Sequence, residues 1–238
     1  MLRLLQPLIQ PHVATARLAH ERRASPPMLN IVDPTSTISR ESAPFTLVGN
    51  RGELHEGNRI VRPASRKDWL YCVTSALTDP REFMSSGKFT DLFFLDEATA
   101  LAAGHRPCGL CNRARFNQFV KAWKKVYDLD DVLAHEIDTE LEIHRVRRKK
   151  QVTYLHDTSD LPSGVFVREV GRPDPLLLYR YEQPKRQEHW CVYPWSSHGY
   201  GVKEPRPEGL VEVLTPQPTV EVIRSGFTPD PVHPLLNW

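Results

Sequence analysis

Two periods of apolar recurrence divide this chain. From Phe45 to Leu95 the apolar residues come in short runs broken by turn-forming residues, which is the pattern of strands. Phe45–Val48 is predicted as a strand, Gly49-Asn50-Arg51-Gly52 as a turn, Asn58–Arg62 as a second strand, Trp69–Val73 as a third and Leu92–Leu95 as a fourth. Asp96 then suits the N-cap of a short helix running through Ala103, because a carboxylate there accepts from the unpaired N–H groups of the first turn, and Gly104 suits its stop. Beyond Cys111 the period lengthens. Phe116, Phe119, Val120, Trp123, Val126 and Tyr127 fall on one helical stripe, with Arg113, Arg115, Lys121, Lys124 and Lys125 on the other faces. A second helix is predicted from Asp130 or Asp131, with Leu133, Ile137 and Leu141 at four-residue steps, ending in the basic run Arg145–Lys150. The remainder returns to strand-like runs: Gln151–His156, Gly164–Glu169, Leu176–Glu182, His189–Tyr193, Leu210–Thr215 and Thr219–Ile223, separated by Pro/Gly turns.

The N-terminal segment behaves differently. Residues 1–24 carry Arg3, Arg17, Arg22 and Arg23 and no acid before Glu21, a composition shared by mitochondrial presequences and by unstructured extensions. Residues 25–45 are rich in Pro, Ser and Thr and read as a disordered linker, so that folded structure is expected to begin near Phe45. The organisation expected is therefore an extension or targeting segment over 1–44, an α/β module over 45–128, a basic connecting helix over 129–150 and a β-rich domain over 151–238. The fold class is α+β. Eleven of the 21 prolines lie beyond residue 170, and since an interior proline removes a donor and clashes with the preceding turn, the last part is expected as a small antiparallel sheet or barrel.

Composition narrows the function classes. Of 238 residues, 40% are hydrophobic and 25% charged, which excludes a wholly disordered chain. No apolar run approaches the roughly 18 to 20 residues that a membrane-spanning helix needs, so no membrane partner is expected. The net charge of +2 argues against a simple polycation, yet it is an average. Between Gly104 and Lys150 there are eleven Lys/Arg and seven Asp/Glu, an excess of four cations. Arg145, Arg147, Arg148, Lys149 and Lys150, together with Arg113 and Arg115, are candidates for contacting the phosphates of DNA or RNA. The same run also suits a solvated face, a helix C-terminus complementing its dipole, or a nuclear-localisation signal.

The four cysteines change the picture most. A disulfide framework is unexpected in a chain this long without a secretory signal, so an intracellular compartment is expected, nucleus or cytoplasm before mitochondrion. Cys108-Gly-Leu-Cys111 places two thiolates across a tight turn, able to take adjacent vertices of a tetrahedron, with Pro107 and Gly109 as the turn formers. A thioredoxin-like redox pair would want a strand leading in, whereas here a helix does.

Around that pair, Phe93, Phe94, Glu97, Ala98, Ala102, Ala103, Gly104, Arg106, Pro107, Cys108 and Cys111 form a block that resembles the second half of the zinc domain of the bacterial Ada DNA-repair proteins. There, paired aromatics on a strand lead to an alanine-rich helix, a glycine and Arg-Pro-Cys-x-x-Cys. The stretch from Gly49 onward also resembles a wider group of uncharacterised Ada-like metal-binding proteins and, in part, fungal proteins encoded among secondary-metabolite genes. The resemblance implies a zinc-binding α/β module and an accessory or regulatory role. In the Ada-type domain the other two ligands are cysteines four residues apart, one of which accepts a methyl group from DNA. No Cys-x3-Cys is present here. By resemblance His55 matches the first ligand, and Cys72 is taken as the fourth, with Glu53 and His105 as substitutes. A zinc-bound imidazole has already given its lone pair to the metal, so methyl transfer through that position is not expected.

Two function classes follow. One is a zinc-binding protein that binds nucleic acid or regulates, without methyl-acceptor activity. The other is an accessory enzyme with a site between the two halves, for which His135, Glu136, His144 and the Trp195–Tyr200 loop offer acid–base groups. His135 and His144 are nine residues apart and about half a turn out of phase, so they do not share a helix face. An interaction protein with purely structural zinc is a third reading. Trp195 and Tyr200 are expected as satellite core residues, and Cys191 as a strand residue.

Overall fold

A computed structural model describes residues 28–74, 89–147, 150–182 and 188–229. The first half is built on a six-stranded mixed sheet of β1 (Leu29–Val32), β2 (Ile38–Glu41), β3 (Leu47–Asn50), β6 (Leu70–Val73), β7 (Leu92–Phe94) and β8 (Arg106–Pro107). Their spatial order is β2-β1-β7-β3-β6-β8, with β1–β7 and β6–β8 parallel and the other pairs antiparallel. A small hairpin of β4 (His55–Glu56) and β5 (Arg59–Ile60) interrupts the chain between β3 and β6.

Two expectations about the start are corrected here. All four residues of β1 are buried, so folded structure begins before Phe45 and the linker assigned to 25–45 contributes two strands, β1 and β2. Leu29, Ile31 and Val32 supply enough apolar surface to drive this despite the flanking Pro and Ser residues, and Ile31 pairs with Phe93. The targeting reading of 1–24 lies outside the described residues.

Asp96 caps α1 (Glu97–Ala102) as the sequence requires, accepting from Thr99 N at 2.8 Å, and Gly104 follows at φ 86°. α2 (Arg113–Tyr127) buries Phe119, Ala122 and Trp123 of the predicted stripe and its flank. α3 is shorter than expected, Ala134–Ile143, because Leu133 holds an extended conformation and its N–H donates to the Glu136 carboxylate at 2.7 Å, which starts the helix only there. The run from Arg145 is not its C-terminus. After α3 the chain forms β9 (Val146–Arg147) and β10 (Lys150–Gln151), an antiparallel hairpin with Arg147 facing Lys150. Arg148 and Lys149 lie outside the described residues.

The second half is a seven-stranded antiparallel sheet, β11 (Tyr154–Asp157), β12 (Phe166–Arg168), β13 (Leu176–Glu182), β14 (Glu188–Ser196), β15 (Gly199–Tyr200), β16 (Glu204–Pro205) and β17 (Leu210–Val213), in the order β11-β17-β12-β13-β14-β15 with β16 also on β14. Thr219–Ile223 is helical, not a strand. α4 (Gln217–Arg224) opens on Pro216 and Pro218, where a missing N–H costs nothing in a first turn, and buries Thr219, Val220, Val222 and Ile223.

One apolar cluster runs through both halves. It joins Val32, Phe94 and Leu101 to Phe119, Trp123, Val213 and Val220, so the partition at 128 and 150 does not separate two cores. The Trp195–Tyr200 segment is a β14–β15 hairpin clamped on α1: Trp195 Nε1 donates to Thr99 Oγ1 at 3.2 Å and the Tyr200 hydroxyl to Asp96 at 2.7 Å. These two rings are satellite core, as expected, and Cys191 is a buried residue of β14. No helix among the described residues is long and apolar enough to cross a membrane.

Candidate metal centre

Strand pairing assembles the cysteines, and the segment leading directly into Cys108 is a strand, β8, where the sequence pattern suggests a helix. β8 lies parallel to β6 with Pro107 beside Tyr71, and the Cys108 N–H donates to Tyr71 O at 2.9 Å, which brings Cys108 alongside Cys72. The chain then turns through Gly109 and Leu110, closed by Asn112 N–H to Cys108 O at 3.1 Å, and Cys111 arrives on the same side before α2 begins. The three Sγ atoms lie within 4.8 Å of one another. Cys108 is buried, and Cys72 and Cys111 are half-buried.

The thiols of this group do not titrate alike. Burial pushes the Cys72 thiol up, and the neighbouring Cys111 and Cys108 sulfurs push it further. Burial also acts on Cys108, but the backbone N–H groups of Cys111 and Leu110, with the Cys111 and Cys72 thiols, outweigh it and hold this thiol below its usual range. Cys111 is raised, chiefly by burial. A sulfur that already collects N–H donors at the turn is stabilised as thiolate, the form that binds metal. The donor set therefore fits a metal ion.

His55 stands outside the group. β3 pairs Val48 with Cys72 and runs away from it, and the chain past Gly52 is tied to the opposite end of the sheet: Thr90 N–H donates to Gly52 O at 3.0 Å, and His55 Nδ1 lies 2.6 Å from Thr90 Oγ1. Thr90 is two residues before Leu92, whose partner is Gly49, so the register carries His55 away from the sulfurs. The substitutes also fall elsewhere. His105 is buried between Trp69 and Phe94 and accepts from Arg51 Nε at 3.2 Å, while Glu53 is exposed. Among the described residues the metal group closes at Cys72, Cys108 and Cys111.

Of the cations proposed for phosphate contact, two are spent inside the fold. Arg145 is 3% exposed, donates to Gly104 O at 2.7 Å and to Lys67 O, and lies 3.6 Å from Asp138. Arg115 binds the Glu97 carboxylate through Nε and Nη2, at 3.0 and 2.6 Å, and Thr228 O at 2.8 Å. Their assignment to nucleic acid is corrected by these contacts. Arg113, Arg147 and Lys150 are exposed.

Periodicity carried no signal for the buried ionic network beside the centre. Arg106, two residues before Cys108, forms a two-pronged pair with Asp138 at 2.9 and 2.7 Å, and Glu97 accepts from Tyr71, the neighbour of Cys72. The strands that present the sulfurs are thus held by charged side chains from α1, α2 and α3. Acidic residues at 97 and 138 among apolar helix positions were the available sign. His135 is exposed, and His144 lies 3.4 Å from Glu140 of the same helix. No family model, curated protein or solved structure matches the chain.

Proposed function

We propose that the protein binds one zinc ion at Cys72, Cys108 and Cys111, with the fourth tetrahedral position left to water or to a residue outside the described ones, and that this ion fastens β6, β8 and the start of α2 together as a structural clamp. The observation that carries the reading is the convergence of the three sulfurs, one of them already collecting backbone N–H donors. Thiolate-rich sites select soft or borderline ions, and zinc accepts such ligands without redox chemistry. The zinc would supply binding free energy to the fold. The sulfurs are assigned to holding the ion and not to methyl acceptance, since the Cys-x3-Cys pair of methyl-accepting domains has no counterpart here.

Metal analysis of the purified full-length chain tests this. One zinc per chain is expected, falling below half in Cys108→Ser and in Cys72→Ser. A chain that purifies metal-free from zinc-supplemented cells overturns the reading.

A regulatory role through nucleic acid is a second reading, favoured by the exposed Arg147 and Lys150 facing each other on the β9–β10 hairpin. Neutralising Arg147 and Lys150 together is expected to weaken duplex binding and flatten its salt dependence. Binding that ignores salt would sink it.

A further inference from the structure

A cleft of about 640 Å³ opens between the halves, away from the cysteines. The turn from Thr35 to Ile38, the end of β5, the β9–β10 hairpin and the facing residues of β12 and β17 form its walls. A volume of this order suits a small molecule. Its floor holds Arg51, which is 0% exposed. Two of the three guanidinium nitrogens are used, Nε toward His105 Nε2 at 3.2 Å and Nη1 toward Ser36 O at 3.1 Å, and the plane lies 4.1 Å from the Trp69 ring centre. Nη2 is buried with no hydrogen-bond partner.

Arg51 is also short of counter-charge. Its charged neighbours are Arg145, which repels it, and half-buried Asp33, which already accepts from Thr35 Oγ1 at 2.7 Å and Thr37 N–H at 2.9 Å. The acid that serves Arg145, Asp138, is shared with Arg106, and Glu142 is paired with Lys67 at 2.6 Å. Among the described residues, the three guanidinium groups at Arg51, Arg106 and Arg145 therefore draw on Asp33 and Asp138, with Glu142 acting on Arg145 only from its surface pair with Lys67. A buried charge left in that state is costly, and an anion at the free edge of the guanidinium relieves the cost.

The walls say what kind of anion. Lys150 stands exposed on the rim, and the acid on the wall, Glu212, is already engaged by Arg168 at 2.8 Å and Thr153 at 2.7 Å. Ile38, Ile60 and Val146 add an apolar side. We propose that this cleft binds a small organic anion, with Arg51 and Lys150 gripping its oxyanion head and the apolar side receiving a short hydrocarbon body. A carboxylate and a phosphate share this head chemistry. The site is independent of the cysteines and stands whether or not they hold zinc.

Calorimetric titration of the full-length protein tests it with hexanoate, acetate and inorganic phosphate in parallel. Saturable binding of hexanoate at one per chain is expected, with acetate at least about tenfold weaker because its body is too short to reach the apolar side. Saturable phosphate binding tighter than hexanoate would keep the oxyanion grip and assign the ligand to phosphate esters. Lys150→Gln, an exposed change that leaves the fold alone, is expected to weaken the better probe about tenfold. Arg51→Lys, which keeps the charge and loses the planar fork, is expected to weaken it further. No saturable binding of either probe up to about 10 mM, the weak end of specific recognition, overturns the proposal. So does binding left unchanged by Lys150→Gln.

Discussion

Gly104 shows how much a single position can carry. Its φ of 86° is in the left-handed region, and a Cβ there would come within 2.8 Å of the Arg145 Cγ. Gly104→Ala is therefore expected to cost about 1–3 kcal/mol from backbone strain alone, more if the Arg145 contacts are displaced, read as a fall in the denaturant midpoint. Glu97 is a second such position. It is 1% exposed and holds both the Tyr71 hydroxyl and the Arg115 guanidinium. Removing a buried acid leaves its cation uncompensated, so Glu97→Ala is expected to lower stability by about 3–5 kcal/mol. Tyr71→Phe removes one hydrogen bond and should cost only about 1 kcal/mol. Equal losses in urea titrations of the two variants would show that the ion pair contributes nothing. Neither contact is written in the chain, since a glycine after a helix announces a stop but not which side chain will lie against it, and an acid among alanines does not name its cation.

Between elements, legibility depended on whether local pattern and tertiary demand agreed. At α1 they did: Asp96, the alanines and Gly104 all act locally, and the helix starts and stops where they direct. At α4 they did not, because Thr-Val-Glu-Val-Ile alternates like a strand and carries β-branched residues, yet its burial against the shared core and the prolines of its first turn favour a helix. The basic run after α3 departs from the helical expectation for a related reason. Arg145 looks like its neighbours in sequence, but a long aliphatic stem and a fork of donors let it turn inward to Gly104, Lys67 and Asp138. Strand contacts also contribute to the acid sensitivity of the second sheet. Burial opposes ionisation of Glu212, but hydrogen bonds from Thr153 and Arg168 prevail and hold its pKa below the ordinary 4.5. The stabilisation is then complete above about pH 4.5 and lost as pH falls through the lower folded value. Because the pair is about 30% exposed, its share is small. Glu212→Gln should flatten the loss of thermal stability between pH 5 and 3, as approximate bounds on that window. An unchanged acid limb would exclude Glu212 as its source.

For the molecule as a whole, the continuous core makes a stronger statement than either half. If the proposed zinc is bound, chelation is expected to lower the melting temperature of both halves in one transition, because Tyr71 of β6, the neighbour of Cys72, belongs to the cluster that also holds the second sheet. Two separate transitions, with only the first moved by chelator, would mean that the halves fold apart. The sequence by itself determined the α+β class, most of the strands, the cap and stop of α1, the stripe of α2 and the Cys108–Cys111 turn. All of these rest on residues within a few positions of each other, where propensity, periodicity and turn geometry act directly. What joins Cys72 to that turn is the parallel pairing of β6 with β8, across 36 residues from Cys72 to Cys108, and what removes His55 is the register of β3. The buried arginines and the cleft above Arg51 belong to the same class. Pairing and register between distant segments are decided by the burial of the whole core, and only the tertiary structure decides them.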